Sequence, residues 1–69
     1  MAKYFAANRV CAPEGDIVCG VVVVEHGIVR DIFRLERELP LTTWLGGTIH
    51  VKRTPIGLQA YKDGKLIED

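Results

Sequence analysis

The chain has no serine, one tryptophan, two histidines and two cysteines among its 69 residues. Without serine, the usual Ser-His-Asp triad cannot be built. The two histidines, His26 and His50, form neither the HxH nor the HExxH pattern that places two imidazoles on one metal ion. We therefore expect no metal site, and we find no candidate for a metal ligand.

Other nucleophiles and phosphate-binding loops are equally scarce. The four threonines are simply good strand residues. Cys11 and Cys19 stand in apolar strand ends, where burial raises a thiol pKa and makes the thiol inert. Gly46-Gly47 lacks the GxGxxG and GxxxxGK[ST] frames of phosphate loops. We expect no catalytic residue and no cofactor, and the sequence favours a non-enzymatic protein over an enzyme.

The two cysteines flank a turn at residues 12–16, so a hairpin can bring Cys11 and Cys19 across from one another. A disulfide is therefore geometrically conceivable. No apolar run of signal-peptide length stands near the start of the sequence, which favours a reducing, cytoplasmic location. In that compartment we expect two buried free thiols.

Neither charge nor hydropathy points to nucleic acid or membrane. Nine Lys and Arg balance nine Asp and Glu, and the two signs are interleaved instead of forming the basic stripe that binds nucleic acid. The longest apolar stretch, residues 17–24, is far shorter than the roughly 20 residues needed to span a bilayer. We expect a partner that is a protein or a second copy of this chain.

Size limits the core. A domain this short buries only about 60% of the surface that its unfolded chain exposes, so residues 1–69 form one small domain with a thin core. Small domains commonly need a staple or a partner to be stable. Self-association is the remedy that the composition favours.

The first half of the chain has the pattern of β-strands. Residues 3–12 read as a first strand that ends at a turn. Residues 17–24 are dominated by β-branched side chains and form the clearest strand. Because this run is apolar throughout, both of its faces are predicted to be covered, one of them by a partner if not by the chain itself. Glu25-His26-Gly27 predicts a hairpin turn.

Residues 28–35 predict a third strand, although Asp31 falls on the same face as Val29 and Phe33 and spoils the alternation. The alternative is a helix over residues 30–39, where Leu35 and Leu39 lie four apart among good helix formers. Pro40 ends either element.

The second half continues as short strands. Gly46-Gly47 predicts a bulge or a bend, and residues 48–52 alternate with Ile49 and Val51 inward. Residues 56–62 and 65–67 flank Asp63-Gly64, the strongest hairpin signal in the chain, and the last residues form an edge strand. The fold class is all-β, a small sandwich or partly open barrel of five to seven short strands.

Four residues are candidates for a ligand site or an interface. Trp44 is either a core anchor or the centre of an interface, and the thin core favours the first. His26 reads as a solvated turn residue and His50 as an outward strand residue. Asp31 joins them as a group that an oligomer interface can bring to the Gly46-Gly47 bend.

Two segments resemble the small composite β-sandwich of metal-dependent amidohydrolases. NRVCAPEG at residues 8–15, followed by GVVVVEHGIVRDI at residues 20–32, is similar to the strands that open that family. TWLGGTIHV at residues 43–51 resembles the C-terminal strands that complete the same sandwich. The resemblance implies the sandwich fold alone, because the catalytic (β/α)₈ barrel and its metal ligands have no counterpart in this sequence.

Three functions follow as hypotheses. The first is a non-catalytic, stand-alone domain of this kind that dimerises or docks on another protein. The second is a small-molecule binding module or minor enzyme with a pocket at the Gly46-Gly47 bend near Trp44, completed across an oligomer interface by His26, His50 or Asp31. The third is an accessory subunit of a separately encoded catalytic barrel.

Overall fold

The computed structural model describes residues 1–69, which form seven strands and no helix. The strands are β1 Lys3–Ala12, β2 Gly15–Glu25, β3 Ile28–Arg34, β4 Thr42–Trp44, β5 Thr48–Thr54, β6 Gly57–Lys62 and β7 Lys65–Leu66. They make one mixed sheet in the order β3-β2-β1-β5-β6-β7, and β4 pairs with β1 beside this path. The all-β class and the strand number are confirmed, and the sheet is not closed into a barrel.

Strand β1 is the organising strand of the sheet. One edge pairs antiparallel with β2, and the other edge pairs parallel with β4 and then with β5. β4 and β5 are therefore two parts of one path along β1, interrupted by residues 45–47. The bend predicted at Gly46-Gly47 lies at this interruption.

The core lies on one side of the sheet, which we call the inner face. Ile49 and Val51 are buried there as predicted. The sheet curls so that β3 approaches β6, and a Cβ built on Gly57 would stand 3.3 Å from Ile28 Cγ2. The core is thus enclosed by a single curved sheet. Its buried members are Phe5, Ala7, Val10, Val22, Val24, Val29, Ile49, Val51, Ala60 and Ile67.

The second half of β2, residues 20–24, is buried on both faces as its apolar run predicts, whereas Val18 in the first half is 54% exposed. Val22 and Val24 point into the core, whereas Val21 and Val23 are buried without belonging to it. Alternate residues of a strand point to opposite faces. We call the opposite side of the sheet the outer face. Val21 and Val23 are therefore covered on the outer face by other side chains.

The third strand is confirmed and the alternative helix over residues 30–39 is wrong. A register shift in the β2–β3 pair puts Val24 opposite Val29 but Val23 opposite Asp31, so that Arg30 is an extra residue on β3. This bulge lets Val29 face inward and Asp31 outward. The bulge explains why apolar and polar residues do not alternate strictly in β3. The sequence of one strand does not reveal a bulge, because a bulge belongs to the pairing of two strands.

A change of pleat divides β1 and β2 into two parts. In β1, Ala7 and Val10 are both buried in the core, while Asn8 and Arg9 between them are both exposed. Cys19, which lies level with Asn8 in β2, has a φ of 55°. The β1–β2 register is the same before and after Asn8 and Cys19. At this point, the alternation of inward and outward side chains shifts by one residue in both strands while the strands stay paired.

The turn predicted within residues 12–16 joins β1 to β2, and the hairpin turns predicted at Glu25-His26-Gly27 and Asp63-Gly64 are also present. His26 and Gly27 have φ of 55° and 75°, and Asp63 and Gly64 have φ of 53° and 80°. Two successive residues with positive φ are typical of the type I′ turns that join antiparallel strands. The Asp69 carboxylate caps the first turn by accepting hydrogen bonds from the backbone N–H of His26 and Gly27.

The two cysteines are free, as predicted, and they are half-buried rather than fully buried. Cys11 faces Asp16 across the β1–β2 hairpin, and Cys19 lies three positions further along the ladder. The hairpin therefore does not bring the two thiols opposite each other. No helix in the structure is long and apolar enough to cross a bilayer.

Candidate interaction surface

Two rows of side chains cross the outer face over strands β3, β2, β1 and β4. One row runs Phe33, Val21, Ala6, Trp44. The row beside it runs Asp31, Val23, Tyr4, Thr42. We call the apolar members of these rows the aromatic face: Tyr4, Ala6, Val21, Val23, Phe33 and Trp44.

The aromatic face is partly packed and partly open. The rings of Tyr4 and Phe33 meet edge to face with their centroids 6.5 Å apart, a favourable aromatic geometry. Beneath them, Ala6 and Val21 are almost fully buried, whereas Tyr4 remains 38% exposed and Trp44 55% exposed. The face therefore has a well-packed floor and two accessible aromatic side chains.

Trp44 is on the surface, and the expectation that it anchors the core is wrong. Trp44 pairs with Ala6, which points to the outer face, so the side chain projects away from the inner core. β4 has a neighbouring strand on one side only, which leaves the outer edge of the ring uncovered. The sequence shows that Trp44 is large and apolar but not which face of its strand it occupies.

The Gly46-Gly47 bend fixes the position of Trp44. Gly46 and Gly47 have φ of 70° and 59°, a region that glycine adopts readily. Gly47 N–H donates to Asn8 Oδ1 at 2.7 Å, and Leu45 N–H donates to the Ala6 carbonyl at 2.8 Å. A Cβ on Gly46 would stand 3.6 Å from Trp44 Nε1, so the indole packs close to the bend.

A cleft of about 690 Å³ adjoins the aromatic face. It is lined by residues 1–4 and 39–43, among them Tyr4, Leu39 and Leu41. Leu41 is 96% exposed and has a φ of 61°. None of the four depressions of the surface is lined by Gly46 or Gly47, so the pocket expected at the bend is not there.

Beyond the change of pleat, the outer face carries mostly polar side chains, with Val18 and Leu66 as its exposed apolar ones. Asp16, Cys11, His50 and Tyr61 form one row across β2, β1, β5 and β6. Lys52 Nζ lies 5.4 Å from the centre of the Tyr61 ring, within the range of a cation–π contact. We call this region the polar half.

In the polar half, Cys11 and His50 are neighbours across β1 and β5, as a catalytic cysteine and its histidine can be. The electrostatics of Cys11 do not fit such a site. Burial, and then the negative charge of the neighbouring Asp16, raise the pKa of the Cys11 thiol. A nucleophilic cysteine needs the opposite shift, since the thiolate is the reactive species. No three His, Cys, Asp or Glu side chains are grouped closely enough to hold a metal ion.

The four candidate residues do not form one site. Asp31 and Trp44 both lie on the outer face, on β3 and β4 at its opposite margins. His50 is exposed in the polar half, and His26 is exposed in the β2–β3 turn. Sequence reasoning missed Tyr4 and Phe33 as partners of Trp44. The signal that identifies them is the pairing register, which depends on the turns and bulges.

Comparison with models of known protein families, with curated proteins and with solved structures finds no match for this chain.

Proposed function

We propose that this chain is a non-catalytic interaction domain and that the aromatic face is its binding surface. The observation that carries the proposal is Trp44, 55% exposed beside Tyr4 and held in place by a bend that hydrogen bonds stabilise. Aromatic residues are enriched in protein interfaces and dominate their binding energy. A rigid bend that presents a tryptophan to solvent suits recognition because little side-chain freedom is lost on binding.

The distribution of exposed apolar groups supports the same assignment. Tyr4, Trp44 and Leu41 lie along the β1–β4 side of the sheet, next to the cleft. Scattered apolar residues on a surface need no explanation, but a contiguous patch is typical of an interaction site. In the polar half of the same face, the exposed apolar residues Val18 and Leu66 lie on β2 and β7, with three strands between them, and so form no such patch.

The geometry of the polar half supports a non-catalytic role. The raised pKa of Cys11 favours the protonated thiol, and His26 lies in a turn apart from the row that holds His50. The resemblance to the amidohydrolase composite sandwich favours the same assignment, because in that family the metal ligands belong to the barrel.

Site-specific photo-crosslinking tests this function. A benzophenone amino acid replaces Trp44 in one variant and His50, which is exposed in the polar half, in the control. In the cell that makes the protein, the first variant is expected to give a discrete covalent adduct and the control none. Equal crosslinking from both positions, or none from position 44, contradicts the proposal.

A second candidate function is small-molecule binding in the cleft. Its volume of about 690 Å³ falls within the usual range for ligand pockets. The Thr42 hydroxyl oxygen beside it is buried and has no hydrogen-bond partner. Titration with the apolar dye ANS tests the cleft, because Leu41→Ala should weaken dye binding several-fold if the cleft is the site. Ile56→Ala, which alters an exposed apolar residue elsewhere, is the control.

A further inference from the structure

We infer that the cleft beside the aromatic face binds an amphiphilic carboxylate, a molecule with one aliphatic chain and one anionic head, such as a medium-chain fatty acid. The inference rests on the second candidate function, since it names the class of ligand for the same cleft. Three features of the cleft support it: the separation of polar from apolar groups along it, its charge, and two side chains whose state the fold alone does not explain.

The cleft is polar at one end and apolar at the other. Its polar side chains lie where β1 begins to pair with β4, at Lys3, Tyr4, Thr42 and Thr43. Beyond the pair of Tyr4 and Thr42, the walls are residues 1–2 and 39–41, which are Met, Ala, Leu, Pro and Leu. An amphiphile has the same division. We expect its head at the β1–β4 end and its aliphatic chain between the two apolar walls.

The charge of the cleft favours an anion. Lys3 is the only residue with a charged side chain among those that line the cleft, and it takes part in none of the ion pairs of the structure. A carboxylate at the polar end therefore meets an ammonium group and no acidic side chain. Because Lys3 is exposed, solvent weakens this attraction. Lys3 is thus expected to select the head group, while burial of the aliphatic chain supplies most of the affinity.

The Thr42 hydroxyl can donate a hydrogen bond to the head. Its oxygen is buried and has no hydrogen-bond partner, and an unpaired buried polar group is unfavourable. Rotation about χ1 exchanges the hydroxyl of a threonine with its methyl group, so the hydroxyl can turn toward an acceptor in the cleft. A carboxylate oxygen is a strong acceptor, because hydrogen bonds to charged groups are stronger than those between neutral groups.

Leu41 occupies a backbone position that favours glycine. Residues 40 and 41 form a turn in which Pro40 is followed by a φ of 61° at Leu41. Proline and then a positive φ are typical of a type II turn, whose third residue is usually glycine. A leucine there is strained, and this one is also 96% exposed. Strained residues cluster at ligand-binding positions. An aliphatic chain in the cleft gives Leu41 the apolar contact that the fold does not provide.

Isothermal titration calorimetry of the full chain with decanoate, below the concentration at which it forms micelles, tests the inference. The wild type is expected to bind one equivalent of decanoate. Decanol has the same chain without the charge and should bind about five-fold more weakly. Decyltrimethylammonium has the opposite charge and should bind more weakly still.

Three variants separate the contributions to binding. Thr42→Val removes the hydroxyl at nearly constant shape and should weaken decanoate binding about ten-fold. Lys3→Gln should weaken decanoate binding about three-fold and leave decanol binding unchanged. Leu41→Ala should weaken both ligands by the same factor. Lys65→Gln is the matched control, because Lys65 is exposed and does not line the cleft. It should change neither affinity. Circular dichroism shows whether each variant keeps its strands.

Equal affinity for the three decyl compounds overturns the inference, and so does a control that weakens decanoate binding as much as Lys3→Gln. Flotation with phosphatidylglycerol vesicles distinguishes a free amphiphile from a lipid surface. The chain is expected to stay unbound, and flotation with the vesicles in place of decanoate binding overturns the inference.

The ANS titration separates this failure from that of the candidate function. Dye binding that depends on Leu41, without binding of decanoate, contradicts the class of ligand but leaves the cleft as a binding site. A cleft that binds neither ANS nor decanoate contradicts both.

Discussion

Gly20 lies so close to Val10 that a Cβ at Gly20 would stand 2.6 Å from Val10 Cγ2 and 3.0 Å from Val10 Cβ. Val10 is completely buried in the core, and it reaches that position because the pleat of β1 and β2 changes between Ala7 and Val10. Gly20 is therefore needed for packing, since no side chain fits between the two strands at this level.

Gly20→Ala is expected to destabilise the fold by about 1–3 kcal/mol, because the added methyl group overpacks the core. Urea denaturation measures the loss. The double variant with Val10→Ala provides the control, because removing Cγ2 relieves the closest contact. The double variant should lose at least about 0.5 kcal/mol less than the two single losses added together. Strict additivity would show that the contact does not limit stability.

The Asp69 carboxylate should make stability depend on pH. Hydrogen bonds from the backbone N–H of His26, and then of Gly27, lower the pKa of this carboxyl. A lowered pKa in the folded state adds stability that is complete above the unfolded value of about 3.9. That stability is lost as the pH falls through the folded pKa.

Asp69→Asn should therefore lower the thermal midpoint at neutral pH, and the difference from the wild type should shrink below about pH 4. Thermal scans by circular dichroism across this range check the expectation. Glu68→Gln is the control, because Glu68 is exposed and takes part in none of the side-chain hydrogen bonds. A difference that stays constant down to pH 2 would contradict the assignment.

His26→Asn should stabilise the protein by a few tenths of a kcal/mol. His26 has a φ of 55° ahead of Gly27, and Asn-Gly is the preferred pair for a type I′ turn. The backbone N–H that donates to Asp69 is unchanged by the substitution. Chemical denaturation measures the gain. A loss of stability would mean that the His26 imidazole makes a contribution beyond its place in the turn.

Gly46→Ala should lower the free energy of unfolding by about 1–2 kcal/mol, because a positive φ strains alanine, whereas glycine adopts it freely. The altered bend should also fix the Trp44 indole less firmly. The fluorescence emission of Trp44 should therefore change at low protein concentration. Gly64→Ala is the matched control. Its φ of 80° is similar and a Cβ there meets no atom within 4 Å. It should cost as much stability and leave the emission of Trp44 unchanged.

Much of the fold could be predicted from the sequence because its signals are local. Asp63-Gly64 and His26-Gly27 are sequence signals that predict hairpin turns, and the β-branched residues 17–24 predict a strand. The alternation of Ile49 and Val51 correctly predicts their burial. These signals depend on a few neighbouring residues and need no knowledge of how the strands pair.

The aromatic face could not be predicted from the sequence because its membership depends on how the strands pair. Trp44 faces outward because it is in register with Ala6, and Asp31 faces outward because Arg30 is an extra residue in β3. A bulge or a change of pleat at one position reassigns every later side chain to the other face. The resemblance to the amidohydrolase sandwich, the cytoplasmic location and the lack of enzymatic activity stay predictions.

Photo-crosslinking at position 44 tests the central claim most directly, because Trp44 is the only tryptophan in the chain and is 55% exposed on the aromatic face. If the aromatic face is the binding surface, a benzophenone amino acid at position 44 should give a discrete covalent adduct that the same group at position 50 does not give. Equal crosslinking from both positions, or none from position 44, would contradict the account.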